Sequence, residues 1–335
     1  MEPNSKLNKS KSRMVYFNGE MVPESQANIS IYDSALMFGD MVFEMTRSFN
    51  KKQFMLTEHL ERLFRGLKIL EIDPLITKEE LINICEEVQN LNDLNFEDDD
   101  EHRLMINVSR GPLGIYSGKV EGLISKPTIV VADFPLKWTV VGMSRFYETG
   151  INCVIPSQRA IPAHLMDPKI KNRSRMWYQM ANIEMSKLKG DNNWALLIDD
   201  QGFITEGTGN NFFMIKEGKI YTSEGRNVLR GTRRDYIFKL ARQIGIDCIE
   251  KNIEPYDIYS ADEAFVTGTP FCIMPVSSFQ FKKLGNNFGE ITKKLLAKWS
   301  ENVGLDIKEQ IIKFNQSLSP NLEASTPYQH ISKDK

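Results

Sequence analysis

The sequence predicts an α+β protein in two units, and three observations carry that prediction. Strand patterns come first, an amphipathic helical pair follows and strands return, so the two element types are segregated instead of alternating as in a doubly wound sheet. Periodicity fades over residues 136–150, and beyond them a strand–helix pattern restarts. The length of 335 residues suits two domains at roughly 150 residues each, or one large one. Residues 14–135 are therefore expected to form a small α+β domain, 136–150 a linker and 151–316 a larger domain. The polar ends, 1–13 and 317–335, lack apolar periodicity and are expected to be disordered.

Residues 15–22 read as two short strands about Asn18-Gly19, a pair that accepts the positive φ of a tight hairpin. Residues 41–49 alternate as a strand and turn at Asn50-Lys51-Lys52. Thr57 is expected to cap a helix with Leu60, Leu63, Phe64, Leu67 and Leu70 on one face, a 3.6-residue period that Pro74 ends. Thr77 and Glu80 form a capping box that opens a second helix to about residue 90. An acidic loop, 97–101, leads to strands at 103–109 and 128–134. In the second unit a strand near 151–155 and a loop ending at Asp167-Pro168 precede a helix over 174–189. Strands follow at 194–198 and 211–215, with a turn at Asp199-Asp200-Gln201-Gly202 and a strand carrying Glu206 between them. A hairpin turns at Glu217-Gly218, and Gly231 opens a helix to about Gly245. A strand at 263–266 runs into Gly268-Thr269-Pro270, and a helix pair covers 287–313.

Composition removes several functions. Forty-two basic residues against 44 acidic ones give a net charge of −2, with no global positive field for nucleic acid. The longest apolar runs, such as residues 127–132, fall far short of the ~20 residues of a membrane span. The four cysteines form no CxxC, and the four histidines share no metal-binding spacing, so reduced thiols and no metal site are expected. The lysine-rich start has no apolar stretch of the secretory kind, which points to the cytoplasm. No GxSxG, Walker or GxGxxG motif is present, against a serine hydrolase, a P-loop enzyme and a Rossmann dehydrogenase.

What remains is a constellation. In residues 199–213, Glu206 sits among small residues, Thr205, Gly207, Thr208 and Gly209, where no bulk keeps a ligand away. Leu229-Arg230-Gly231-Thr232-Arg233 lies at a helix start, where free N–H groups and the macrodipole favour an anion. Thr267-Gly268-Thr269 ends a strand with donors of the same kind. With a lysine upstream, at 169 or 171, these segments suggest a phosphate-bearing cofactor.

In this order the residues resemble the class IV, fold-type IV aminotransferases that use pyridoxal 5′-phosphate. That group includes branched-chain and D-amino-acid aminotransferases, (R)-selective amine transaminases and aminodeoxychorismate lyase. Phe17-Asn18-Gly19 resembles the opening hairpin, residues 38–47 the first core strand, and His59-Leu60-Glu61-Arg62-Leu63 the family's H-x-x-R-L helix. The resemblance implies two domains, the larger a mixed β-barrel-like domain with helices. It implies amino transfer between an amino acid, branched-chain-like first, or an amine, and a 2-oxo acid by ping-pong chemistry, with a lyase, a D-amino-acid or an (R)-amine transaminase as alternatives.

It also implies roles. Arg62 would grip the cofactor phosphate, Lys171 would be the Schiff-base lysine in preference to Lys169, and Glu206 would pair with the pyridine nitrogen. Leu229, Gly231, Thr232, Arg233 and Thr269 would pack the ring and bind the phosphate. Phe38, Phe43, Arg110 and Tyr116 are candidate substrate contacts, with Arg47 a further pocket group. Three departures stand out. Met176 occupies the position five after the lysine where branched-chain enzymes carry a tyrosine, with Tyr178 two residues further on. Arg233 replaces a phosphate-binding threonine, and no Arg-x-His follows Ser109. The run Arg173-Ser174-Arg175 is unusual and is expected to face either an anionic substrate or solvent. Finally the resemblance implies a homodimer or higher oligomer whose partner loop completes the site, consistent with aromatics at Tyr32, Phe38 and Tyr116.

Overall fold

The computed structural model describes residues 12–285 and 288–317. The ends expected to be disordered lie outside these residues, apart from Ser12, Arg13 and Ser317.

The first unit is a five-stranded sheet in the order Glu20–Pro23, Met14–Phe17, Thr128–Pro135, His102–Ser109, Met41–Met45. Every pairing in it is antiparallel. Asn18 (φ 52°) and Gly19 (φ 109°) make the two-residue turn that sets Phe17 opposite Glu20. Helices Leu56–Ile69 and Lys78–Asp93 cover one face. Leu60, Leu63 and Leu67 from the first and Leu81, Cys85 and Val88 from the second bury against Val42, Leu104, Ile106 and Val131. The second helix has both arms of its capping box. The first starts earlier than expected and is not capped by Thr57: the residue before it is Met55, with φ 60° and no side-chain cap.

The strand expected over 41–49 is two pieces. It breaks after Met45, and Ser48–Phe49 pairs with Lys52–Gln53 as a separate hairpin through Asn50 (φ 51°) and Lys51 (φ 63°). This hairpin leaves the first sheet for the core of the second unit. Phe54 packs edge-on against Phe49 and Tyr236, with centroids 5.1 and 5.0 Å apart, and lies beside Trp299.

The second unit is a mixed sheet that closes on itself. Its strands run Ile204–Gly207, Asn193–Ile198, Ile151–Val154, Cys272–Phe279, Glu263–Gly268, Asn211–Lys216, Lys219–Ser223, Cys248–Lys251. Ile204–Gly207 also pairs with Asn211–Lys216, Glu206 opposite Asn211, so the first six strands form a ring. Ile151–Val154 is parallel to both its neighbours, and the other ring pairings are antiparallel. Phe212, Phe213, Phe265 and Trp299 fill the core, with Phe213 stacked on Phe265 at 4.9 Å. Helices Met176–Ser186, Thr232–Gln243, Glu290–Val303 and Ile307–Ser317 flank the sheet.

Several elements differ from the pattern-based expectation. Residues 137–149, expected as part of a linker, form three short helical turns that bury Val140, Met143, Phe146 and Tyr147; turns this short have no period to read. Strand Cys272–Phe279 is buried along nearly all its length and holds Pro275, so it lacks alternation. The helix expected from residue 174 begins at Met176, because the Ser174 hydroxyl donates to the Phe38 carbonyl (2.9 Å) instead of capping. No helix among the described residues is long and apolar enough to cross a membrane.

One buried carboxylate fastens the inserted hairpin. Glu101, 3% exposed, accepts from the Ser48 hydroxyl, the N–H groups of Asn50 (2.7 Å) and Lys51 (3.0 Å) and the Gln310 amide (3.1 Å). Glu101→Ala leaves those donors without an acceptor and should destabilise the protein by about 2–4 kcal/mol. Denaturant midpoints measure this, with Asp98→Ala, an exposed neighbour, expected to shift the midpoint little.

Candidate active site

The strand pairing that closes the barrel also builds one wall of a cavity lined by Lys171, Glu206, Arg62 and Thr232. Glu206 is 6% exposed, and its carboxylate accepts from the Tyr178 hydroxyl (2.9 Å), the Asn211 amide (3.0 Å) and the Leu229 N–H (3.1 Å). This closeness needs glycine: a Cβ on Gly231 would lie 2.3 Å from the Asn211 Oδ1. Burial pushes the Glu206 carboxyl above the ordinary carboxylate range, while the Leu229 N–H, Tyr178, Arg175 and Lys171 draw it back. The acid is thereby poised to share a proton with a basic partner.

Lys171 is positioned by the first sheet. Its carbonyl accepts from the Phe43 N–H (2.9 Å), and Asn172 bridges to Val42. The amine lies 4.7 Å from the centroid of the Phe43 ring. Burial holds it well below the usual lysine range, and the charges of Arg175 and Arg62 push the same way. Lys169 is placed differently. Its amine pairs with Asp167 (2.8 Å) and the Arg226 carbonyl (3.3 Å), and it does not line this cavity.

The far end of the cavity gathers positive charge. Arg62 gives Nε and Nη2 to Glu44 (2.6 and 2.8 Å) and Nη1 to the Arg230 carbonyl (2.9 Å). Three of its five N–H donors are so occupied and two are left. Glu44, fully buried, also binds the His59 Nδ1 (2.7 Å), and the His59 Nε2 meets the Thr232 hydroxyl (3.2 Å). Burial would raise the Glu44 carboxyl, but Arg62 and His59 outweigh it and hold Glu44 well below the ordinary range. Burial pushes His59 down to about 4, Arg233 and Arg62 adding to the shift against the pull of Glu44. A neutral His59 that donates to Glu44 must accept at Nε2, so the Thr232 hydroxyl donates to the ring. Arg233 is 2% exposed over the Phe54 ring at 4.8 Å, and its three nitrogens have no hydrogen-bond partner among the described residues. Burial pushes its guanidinium down to about 9. An unpaired buried cation is costly, and here it lines a cavity that Thr232 enters from a helix N-terminus. That end of the cavity suits a phosphate.

Leu229, Gly231 and Thr269 line the same cavity, so Arg62, Lys171, Glu206, Leu229, Gly231, Thr232, Arg233 and Thr269 all meet there. Phe43 lies beside Lys171, 4% exposed. None of the four candidate substrate contacts, Phe43 included, lines the cavity within one chain. Arg110 is spent on Asp40 (2.6 Å) and on the Leu70 and Glu71 carbonyls (2.8 and 3.1 Å), closing the end of a helix. Tyr116 packs on Tyr32 at 4.7 Å, and Phe38 is 66% exposed. Met176 is also exposed, and Tyr178 and Arg175 face the cavity instead. Arg47 is buried, bonded to the Pro270 carbonyl (2.9 Å) and Gln310 (2.7 Å), and supports the loop before Cys272 from behind. Sequence reasoning assigned no role to Glu44, His59 or Asn211. The signal for the first two was a buried acid on a strand facing a His-x-x-Arg helix pair.

Comparison with known proteins gives the setting. The amino-transferase class IV family model matches residues 41–279. A protein of Methanocaldococcus jannaschii named as a putative branched-chain-amino-acid aminotransferase is 36% identical over 289 residues, 86% of this chain and 95% of its own. The crystal structure of the Escherichia coli branched-chain amino acid aminotransferase superposes with a TM-score of 0.76 at 26% identity, covering 88% of this chain and 95% of that one. A branched-chain aminotransferase from Thermoproteus uzoniensis, solved with norvaline, has a TM-score of 0.72 at 25% identity, over 92% and 99% of the two chains. Fold and site together define a fold-type IV pyridoxal-phosphate enzyme. The chain belongs to the class IV aminotransferase family and is a transaminase.

The His59 shift makes a pH prediction. Its folded value lies below its unfolded one, so the stability it contributes is full above about pH 6.5 and is lost as pH falls towards 4. Between pH 7 and 4.5 the wild type should lose about 2–3 kcal/mol more than His59→Asn, measured by denaturant unfolding at each pH. Equal losses in the two proteins would contradict a buried neutral His59.

Proposed function

We propose that this transaminase moves an amino group between a branched-chain amino acid and a 2-oxo acid, with Lys171 as the reacting amine. The observation that carries the reading is the meeting of Lys171, Glu206 and the Arg62–Thr232–Arg233 end in one cavity. The branched-chain part rests on the relative 36% identical along nearly its whole length. Two domains are proposed, residues 14–135 and 151–316, with the cavity between them.

Bound pyridoxal phosphate supplies the electron sink for proton transfer at the substrate carbon. Lys171 would bond to it covalently and, when freed by the substrate amine, carry the proton. A lysine kept neutral by burial and by neighbouring cations is a competent base. Glu206, fixed by three donors, would hold a proton on the pyridine nitrogen and so deepen the sink. The two remaining N–H groups of Arg62, the N–H groups at the start of helix Thr232–Gln243, Arg233 and Thr269 would hold the phosphate. Leu229 and Gly231 would pack the ring.

Lys171→Ala should lose the covalently bound cofactor and turnover, while Lys169→Ala keeps both, read by borohydride reduction and peptide mapping. Glu206→Gln should keep the cofactor and slow each half-reaction by about 10²-fold or more, read in single turnovers. Many turnovers without any 2-oxo acid acceptor, beyond the one equivalent per site that a half-reaction yields, would mark a lyase and remove this reading of the substrate pair.

A second copy of the chain would complete the site. Ile31, Leu36, Phe38, Ile115 and Ile124 are 62–70% exposed on the two segments that Tyr32 and Tyr116 clamp together, one of them the short helix Ser34–Phe38, and they are unsuited to water. Phe38 and Tyr116, absent from this chain's own cavity, would then serve the partner's. Sedimentation at micromolar concentration should give twice the 38.5 kDa chain mass or a multiple of it. A fully active 38.5 kDa species would contradict the shared site.

A further inference from the structure

The cavity holds one more cation, on the side away from the phosphate donors. Arg175 precedes helix Met176–Ser186, with its guanidinium carbon 5.1 Å from the Phe43 ring centroid and 5.2 Å from that of Tyr178. Among the described residues its guanidinium has no hydrogen bond and no ion pair. Arg173 differs, since it bonds the Asn107 side chain at 3.1 Å. Arg175 lines the cavity with Tyr178 and Glu206, and it lines the adjoining pocket with the same two residues but without Arg62, Thr232 or Thr269. It therefore stands on the edge that runs from Glu206 to Lys171.

The substituent order of pyridoxal phosphate says which group meets that edge. The aldehyde carbon sits opposite the ring nitrogen, the phosphate arm lies to one side of it, and the phenolic oxygen to the other. With the nitrogen at Glu206, the aldehyde carbon at Lys171 and the phosphate at Arg62, the phenolic oxygen falls on the edge that Arg175 occupies. We propose that Arg175 faces the phenolic oxygen of the cofactor and holds it ionised. The inference rests on the roles given above to Lys171, Glu206 and Arg62. Its physical basis is that a partly buried guanidinium with no protein acceptor among the described residues attracts an anion placed beside it. A phenolate committed to Arg175 is a weaker acceptor for the proton on the nitrogen that joins Lys171 to the cofactor. That nitrogen would then lose its proton at a lower pH and stand ready to accept the proton of an incoming substrate ammonium, freeing the substrate amine to attack.

The test is a pH titration of the visible absorbance of the cofactor-loaded protein, compared among wild type, Arg175→Gln, Arg175→Lys and Arg173→Gln. Arg175→Gln should raise the midpoint by about one unit or more, because the cation is gone. Arg175→Lys, which keeps the charge, should stay close to wild type, as should Arg173→Gln. Cofactor retention should be unchanged in all of them, because the phosphate is held elsewhere. The proposal is overturned if Arg175→Gln and Arg175→Lys share one midpoint. It is also overturned if Arg175→Gln raises only the KM for the amino acid, which would put the guanidinium on the substrate carboxylate, or if it sheds the cofactor, which would put it on the phosphate. Lys171→Ala separates this failure from that of the site reading: a wild-type absorbance band that persists in Lys171→Ala sinks the lysine assignment, whatever Arg175 does.

Discussion

A single fully buried carboxylate, Glu44, orients the cationic end of the cavity. It lies on the last strand of the first sheet, takes two donors from Arg62 and one from His59, and has no exposed surface. A charge in that position is tolerable only when paired, and removing one partner of such a pair typically costs about 3–5 kcal/mol. His59 passes the constraint on by accepting from Thr232, and Arg62 does so by donating to the Arg230 carbonyl. Both contacts cross from helix Leu56–Ile69 of the first unit to the helix start of the second. The same ion pair that closes the interface thus aims a guanidinium at the N-terminus of helix Thr232–Gln243.

The opposite end depends on barrel closure. Glu206 and Asn211 are the paired residues at the seam, and the Asn211 amide spans Glu206 and the Leu229 carbonyl. The carboxylate is therefore anchored by the backbone that closes the ring. Lys171 comes from a third place, a loop tied by its main chain to strand Met41–Met45. Acid, amine and anion site sit in one cavity because three separate tethers place them, and only one of those tethers is a regular sheet pairing.

Much of this was legible from the sequence, for identifiable reasons. Hairpins with Asn-Gly or Glu-Gly turns, the capping box at Thr77 and Glu80 and the apolar stripe from Leu60 to Leu67 are local signals, and each has its structural counterpart. The residues of the cavity were found through Glu206, the helix start at Gly231 and a resemblance of motifs. Elements set by long-range burial were not legible. Cys272–Phe279 is buried along nearly all its length on both faces, so period 2 is erased. The hairpin at 48–53 looked like the end of a strand because nothing local says that Phe49 and Phe54 belong to another core. Glu44 read as one acid in an alternating strand, since its partners lie 15 and 18 residues away. Arg110 looked like a carboxylate binder, yet its partners are a helix end and Asp40.

The most direct test of the account is the crystal structure of the protein with pyridoxal phosphate bound. The account predicts density continuous with the Lys171 amine, the pyridine nitrogen within hydrogen-bonding distance of Glu206, and the phosphate on the free donors of Arg62 and the helix start at Thr232. Density joined to Lys169, or a phosphate seated away from Arg62, would contradict it.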